Sequence, residues 1–156
     1  METPYQKIIT FLQGKHVTYE ALEHEPVFTS EQAAVVRGTK LHQGAKALLF
    51  KAKNDFVLVV MPADKKGDSK KIKEVLGVKD LRFATPGEVK DLMDCEIGAC
   101  YPFGGIIGIR TLVDQGLADN EFIAFNAGDH TKSLKIAYKD YIQATEPELV
   151  DVTKSE

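Results

Sequence analysis

Residues 45–63 read AKALLFKAKNDFVLVVMPA, and their pattern decides the fold. Two apolar runs, 45–53 and 56–63, the second rich in valine, are joined by the polar pair Asn54 and Asp55. A short polar turn between two such runs specifies a buried hairpin. A tight hairpin at the centre of the chain argues against a purely parallel sheet, which needs long crossover connections. The two-residue alternation of a strand puts Lys46, Leu48 and Phe50 on one face of the first run.

On the N-terminal side, Tyr5, Ile8, Ile9 and Leu12 recur at helical spacing after Thr3 and Pro4, which predicts an amphipathic helix ending near Gly14. Residues 17–22 are β-rich and predict a strand. Thr29 and Gln32 have the spacing of a capping box; Ala33, Ala34 and Val36 supply the apolar face of a second helix, and Gly38 ends it. On the C-terminal side, helices are predicted over 68–76, stopped by Gly77, and over 85–93, opened by Thr85 and Glu88, with LRFA at 81–84 as a strand between them. IIGI (106–109), TLV (111–113), FIAF (122–125) and LKIAY (134–138) read as short strands bounded by Gly, Asp or Asn. KDYIQA at 139–144 reads as a last helix and DVTKSE at 151–156 as a loose end. The expected fold is α/β (α+β): a mixed, curved or barrel-like sheet with short helices packed outside it.

With 156 residues, 44% of them apolar and 28% charged, one domain over residues 1–156 is the simplest organisation. The longest uncharged apolar runs, 47–50 and 56–61, fall far short of the ~20 residues that cross a bilayer. The N-terminus lacks the pattern of a secretory signal, so a cytoplasmic protein with reduced thiols and no membrane partner is expected. Cys95 and Cys100 match neither a redox or zinc spacing nor a disulfide framework. A net charge of −3 marks no global nucleic-acid binder, so any RNA contact has to come from a local patch such as KKGDSKKIK at 65–73; DNA is not an expected partner. On its own that cluster reads as the solvated side of a short helix.

The nucleotide-loop, zinc-protease and serine-hydrolase motifs are absent. His16, His24, His42 and His130 are widely separated in sequence, and neither a metal nor a cofactor is expected. The stretch GACYPFGG at 98–105 offers Cys100 as a nucleophile, yet from 94 through 109 no His, Lys or Arg is present to lower its pKa. A small packing residue is the favoured reading of Cys100. Lys46 opens a strand and can hold a phosphate or carboxylate at the rim; as pattern alone, it reads first as a charge that blocks edge pairing. His130, beside Asp129 in the polar turn NAGDHTKS, is either simply exposed or presented by its two strands for function.

Taken together, Lys46 at the head of a buried strand, VMPADKKGD (60–68), Gly98-x-x-x-Pro102, LVDQGL (112–117) and FNAGDHTKSLKI (125–136) resemble the YbaK/EbsC family. That family comprises prolyl-tRNA synthetase editing domains and their free-standing relatives. The resemblance runs in order from TSEQAA at 29–34 to LKIAYKDYI at 134–142. It implies hydrolysis of the ester joining a wrong amino acid to tRNA, most plausibly Cys, Ala or Ser on tRNA-Pro, by a protein acting in trans. The implied partners are the aminoacylated 3′ end of that tRNA and prolyl-tRNA synthetase.

The resemblance also implies roles for single residues. Lys46 anchors the terminal nucleotide, and the loop from Gly98 to Pro102 offers backbone groups to the ester, so Lys46, Gly98 and Pro102 form the expected catalytic set. Ala99, Cys100, Tyr101, Asp129, His130 and Thr29 are the expected substrate-binding residues. Tyr101 and Phe103 make the loop bulkier than versions rich in small residues, which leaves the accepted amino acid small or stacked on a ring. The competing readings are a tRNA- or synthetase-binding module on the same fold that has lost turnover, and a thiol enzyme built on Cys100.

Overall fold

The computed structural model describes residues 2–155. Its centre is the hairpin. Strands β2 (Ala45–Ala52) and β3 (Asp55–Pro62) pair antiparallel from Ala45 opposite Pro62 to Ala52 opposite Asp55. The turn is therefore Lys53 and Asn54, one residue earlier than the polar pair in the sequence indicates, with Lys53 in the left-handed region at φ 57°. Alternation along β2 works as expected. Ala45, Ala47 and Leu49 face the larger apolar core, while Leu48 and Phe50 face a smaller one shared with Val57, Val59, Met61 and Ile72.

The remaining strands are β1 (Tyr19–Glu23), β4 (Arg82–Phe83), β5 (Arg110–Asp114), β6 (Phe122–Asp129), β7 (Lys132–Ala137) and β8 (Glu148–Val150). They divide between two sheets. One has the order β4-β2-β3-β5-β8, with parallel pairs at β3–β5 and β5–β8; the other is the antiparallel set β1-β7-β6. A parallel bridge between Gly44 and Ala124 joins them at the head of β2. The mixed α/β architecture is as expected, built as two sheets meeting at that bridge. Because β4 pairs only with Phe50 and Lys51, the first half of β2 keeps an edge that no other strand of its sheet covers.

Local signals set the helix ends. Helices α1 (Pro4–Gly14), α2 (Ser30–Arg37) and α4 (Pro86–Met93) each open with a capping box, from Thr3, Thr29 and Thr85. Helix α3 (Ser69–Leu76) opens on Asp68, and α2 and α3 stop on left-handed Gly38 and Gly77. Helix α5 is Tyr138–Thr145.

Three expectations fail. IIGI is not a strand: residues Gly104–Ile107 form a 3₁₀ turn, and the Gly108 and Ile109 amides bond back to Gly105 and Gly104. The isoleucines have strand propensity, but the glycines around them let the chain fold on itself. Val36 does not belong to a buried face, since α2 buries only Ala33 and leaves Val35 81% and Val36 42% exposed. The C-terminal stretch is not loose. Val152 is fully buried and its amide donates to Asp114 Oδ1 at 2.9 Å, Thr153 bridges Gly67, and Lys71 Nζ reaches Asp151 and the Thr153 carbonyl. These contacts join the tail to residues distant in sequence, and they leave no periodic trace in it.

Candidate active site

Where the two sheets meet, α2, the head of β2 and the loop at Gly98 enclose a cleft of about 210 Å³. The cleft sits below the ~300–1,000 Å³ of sites that enclose a whole small molecule, so it suits the end of a larger substrate. Lys46, Arg37, Asn126, Thr29, Gly98 and Cys100 line it, and among the described residues no carboxylate does. Phe28 and Ile97, 67% and 52% exposed, stand at its mouth. A pocket with two cationic side chains, apolar walls and no acid is built for an anionic or ester-bearing group.

Lys46 is half-buried, and its Nζ donates to the Lys65 carbonyl oxygen at 2.5 Å. Burial draws its pKa below the ordinary lysine value, opposed by the nearby Asp64 and Glu31 charges. An ammonium held on one carbonyl keeps donors for a substrate oxygen. Across the cleft, Gly98 has φ +93° and lies against His130, whose Cε1 would be 3.4 Å from any Cβ placed there. Only glycine takes that backbone conformation without strain.

The Gly98 carbonyl is held by side chains that local sequence patterns do not group. Asn126 Nδ2 donates to it at 2.6 Å; Arg37 donates to Asn126 Oδ1 at 3.0 Å and, through Nε, to Ser133 Oγ at 2.8 Å. Ser133, fully buried, lies 2.8 Å from His24 Nε2, and His24 Nδ1 faces the Glu25 carbonyl at 2.8 Å. Each direction follows from chemistry. A carbonyl only accepts and a guanidinium only donates, so the Asn126 amide has one orientation. In the neutral His24 ring Nδ1 carries the proton, and Nε2 accepts from Ser133. Burial pulls the Arg37 pKa down to about 10, which leaves it charged at neutral pH. No local motif groups Arg37, Asn126 and Ser133; the β6–β7 pairing sets Asn126 opposite Ser133, and Arg37 of α2 reaches both.

The other expected site residues are distributed as follows. Thr29 lines the cleft while its Oγ1 caps α2. His130 forms the wall behind Gly98: Nδ1 donates to the Val27 carbonyl at 3.0 Å, the ring packs on Phe28 at 4.7 Å, and Nε2 is 3.5 Å from Glu96. Asp129 turns away to hold the hairpin, accepting from the Thr131 amide and hydroxyl, bonds that lower its pKa. Ala99, Tyr101 and Pro102 are buried outside the cleft lining. Tyr101 Oη donates to the Met93 carbonyl, and the Pro102 carbonyl accepts from Tyr141 Oη at 2.7 Å. Phe103 stacks edge-on with Phe11, Phe125 and Tyr141 in the core. The aromatic pair of this loop anchors it from below, and the exposed ring at the cleft is Phe28.

Cys100 lines the cleft. The buried Cys95 thiol donates toward it, which lowers the Cys100 pKa against the effect of burial and raises that of Cys95. Hydrolysis by water positioned in the cleft predicts that Cys100→Ser keeps its deacylation rate within about threefold, whereas removing a true nucleophile costs ~10³-fold or more. Single-turnover deacylation of a mischarged tRNA by the two proteins measures this.

A family model described as "Aminoacyl-tRNA editing domain" matches residues 24–144, which include every residue lining the cleft. The multifunctional Ser/Thr-tRNA deacylase ProXp-y of Escherichia coli K12 is 33% identical over 156 residues, covering 97% of this chain and 93% of the relative. The prolyl-tRNA editing protein ProX of Acetoanaerobium sticklandii is 26% identical over 141 residues, 86% of each chain. A solved structure described as a proposed trans-editing enzyme for prolyl tRNA synthetase superposes with a TM-score of 0.87 at 21% identity, covering 99% of both chains, a likeness of fold. With the editing-domain model spanning the cleft and a 33% identical relative aligned nearly end to end, this chain belongs to the aminoacyl-tRNA editing domain family.

Proposed function

We propose that this chain, as one editing domain over residues 1–156, hydrolyses the ester of mischarged tRNA in trans, in the cytoplasm where charged tRNA is used. The observation that carries the reading is the pairing of Lys46 with the Gly98 backbone across one small cleft that no carboxylate of the described residues lines. Lys46 holds the terminal nucleotide or its phosphate. Backbone groups of the Gly98 to Pro102 loop orient the ester and support the charge that develops on its carbonyl oxygen. Water adds to the carbonyl carbon and the bond to the ribose oxygen breaks, releasing the free amino acid and the tRNA 3′ hydroxyl.

Seryl and threonyl esters are the favoured substrates on tRNA-Pro, ahead of alanyl and cysteinyl ones. The polar groups of Asn126, Thr29 and Ser30 in the lining provide partners for a side-chain hydroxyl, and the ProXp-y relative is named for Ser and Thr. A site that bonds a hydroxyl discriminates strongly, whereas a single methylene is worth only ~1–3 kcal/mol. Prolyl-tRNA synthetase is the proposed partner that hands over the tRNA. The test is a panel of tRNA-Pro charged with Ser, Thr, Ala, Cys or Pro. Faster hydrolysis of the Ser and Thr esters, with Pro-tRNA spared, is expected; no ester cleaved above the uncatalysed rate would end the hydrolase reading.

A further inference from the structure

At the far end of β2 from the cleft, Lys51, Lys53, Lys73 and Arg82 converge on a surface depression of about 440 Å³ that also includes Asp80. These residues come from the hairpin, α3 and β4, so the sequence cluster at 65–73 does not reveal the grouping. Arg82 is paired with Glu88 and Lys51 lies 3.9 Å from it. Among the described residues no carboxylate lies within ion-pair distance of Lys53 or Lys73, so both charges are available to an outside anion.

Between this depression and the cleft stands an exposed ring. Phe83 is 64% exposed and stacks on Phe50 at 4.7 Å. Phe50 shares a strand face with Lys46 while Lys51 lies on the other face, so cleft, ring and depression are connected along the β4-side edge of β2, whose first half β4 leaves uncovered. At ~3.3 Å per strand residue, the five steps from Lys46 to Lys51 span ~17 Å. That is the reach of a short unpaired nucleic-acid end. Basic groups that track a backbone, interleaved with exposed aromatic rings, are the physical signature of a single-stranded nucleic-acid path.

We propose that this side of β2 is an RNA track: the aminoacyl end enters the cleft at Lys46, an unpaired base stacks on Phe83, and phosphates of the paired stem sit against Lys53 and Lys73. It rests on the hydrolase reading for the placement of the ester end, and it adds a second contact remote from the chemistry. Lys53 and Lys73 supply binding and leave the rate at saturation unchanged.

The test uses Lys53→Asn/Lys73→Gln and Phe83→Ala in the full chain. Asparagine tolerates the left-handed backbone at 53, and position 73 lies on a helix surface, so both changes preserve the fold; matching Tm values check this. Binding of uncharged tRNA is read by fluorescence anisotropy across a salt series. The double variant is expected to bind about tenfold more weakly, with its salt slope shallower by about one per lysine lost. Phe83→Ala is expected to weaken binding at least fivefold. An aminoacylated CCA trinucleotide, which lacks the paired stem, is expected to be hydrolysed by the double variant at the wild-type rate. Unchanged affinity and salt slope would overturn the track, as would an equal loss on the trinucleotide. Wild-type protein that binds tRNA through these residues yet cleaves no ester would retain the track and remove the hydrolase reading.

Discussion

Lys46→Met lowers kcat/KM for deacylation of seryl-tRNA-Pro by about 10²–10³-fold, the range for losing one preorganised charge at a reacting group. Methionine keeps most of the aliphatic stem that lies along the apolar wall, so the change isolates the ammonium. Stability is expected to hold. Lys46 gives one hydrogen bond to the Lys65 carbonyl and is half-buried, with burial lowering its pKa. The measurement is single-turnover kinetics with a thermal melt alongside. An equal rate in the folded variant would remove Lys46 from the reaction, and a rate loss that tracked a fallen Tm would reduce Lys46 to a structural part.

The second large effect is expected at Asn126. In Asn126→Asp the shape is kept, but the carboxylate cannot donate to the Gly98 carbonyl 2.6 Å away and repels it instead. Loss of that bond releases the peptide that places the loop, and a fall of about 10–100-fold in kcat follows from ~1–3 kcal/mol of lost positioning. Arg37→Lys acts on the same chain of bonds, because an ammonium cannot copy the forked reach of the guanidinium to Asn126 and Ser133. The two changes are therefore expected to be less than additive in a double-mutant cycle. Additive losses would show that Arg37 and Asn126 work independently. Hydrogen exchange of the Ala99 and Cys100 amides supplies a readout apart from activity and is expected to quicken in both variants.

Local chemistry made much of this fold legible. The Thr29 box, Gly38, Asp68, Gly77 and the Thr85 box lie where they were expected because caps and left-handed stops depend on a few neighbouring residues. The hairpin was legible because alternation and a polar turn are local too. The one-residue shift of its turn arises because Lys53 takes the positive φ that the sequence offers no reason to assign to a lysine. Long-range effects were hidden. Asp114 holding the Val152 amide and the 3₁₀ turn at Gly104–Ile107 both depend on contacts that no short window carries.

The site divides the same way. Lys46 and Gly98 are candidates through the family resemblance, since pattern alone reads Lys46 as a charge that blocks edge pairing, and the two face one cleft. The residues that hold Gly98 in place span positions 24 to 133 and become neighbours only through the β6–β7 register and the packing of α2. Tyr101 shows the opposite effect. Its place in the loop made it a pocket candidate, but its ring is buried and its hydroxyl is spent on the Met93 carbonyl.

The central claim is that the ester end of an aminoacyl-tRNA occupies the cleft between Lys46 and Gly98. A seryl-adenosine analogue with a stable amide in place of the ester tests it directly, by backbone NMR titration of the full chain. Shift changes concentrated at Lys46, Gly98, Phe28 and Asn126 are predicted, and Lys46→Met should weaken them. Shift changes confined to the other large depression, around Phe56, Leu92 and Arg110, or saturation with no change at Lys46 and Gly98, would contradict the account.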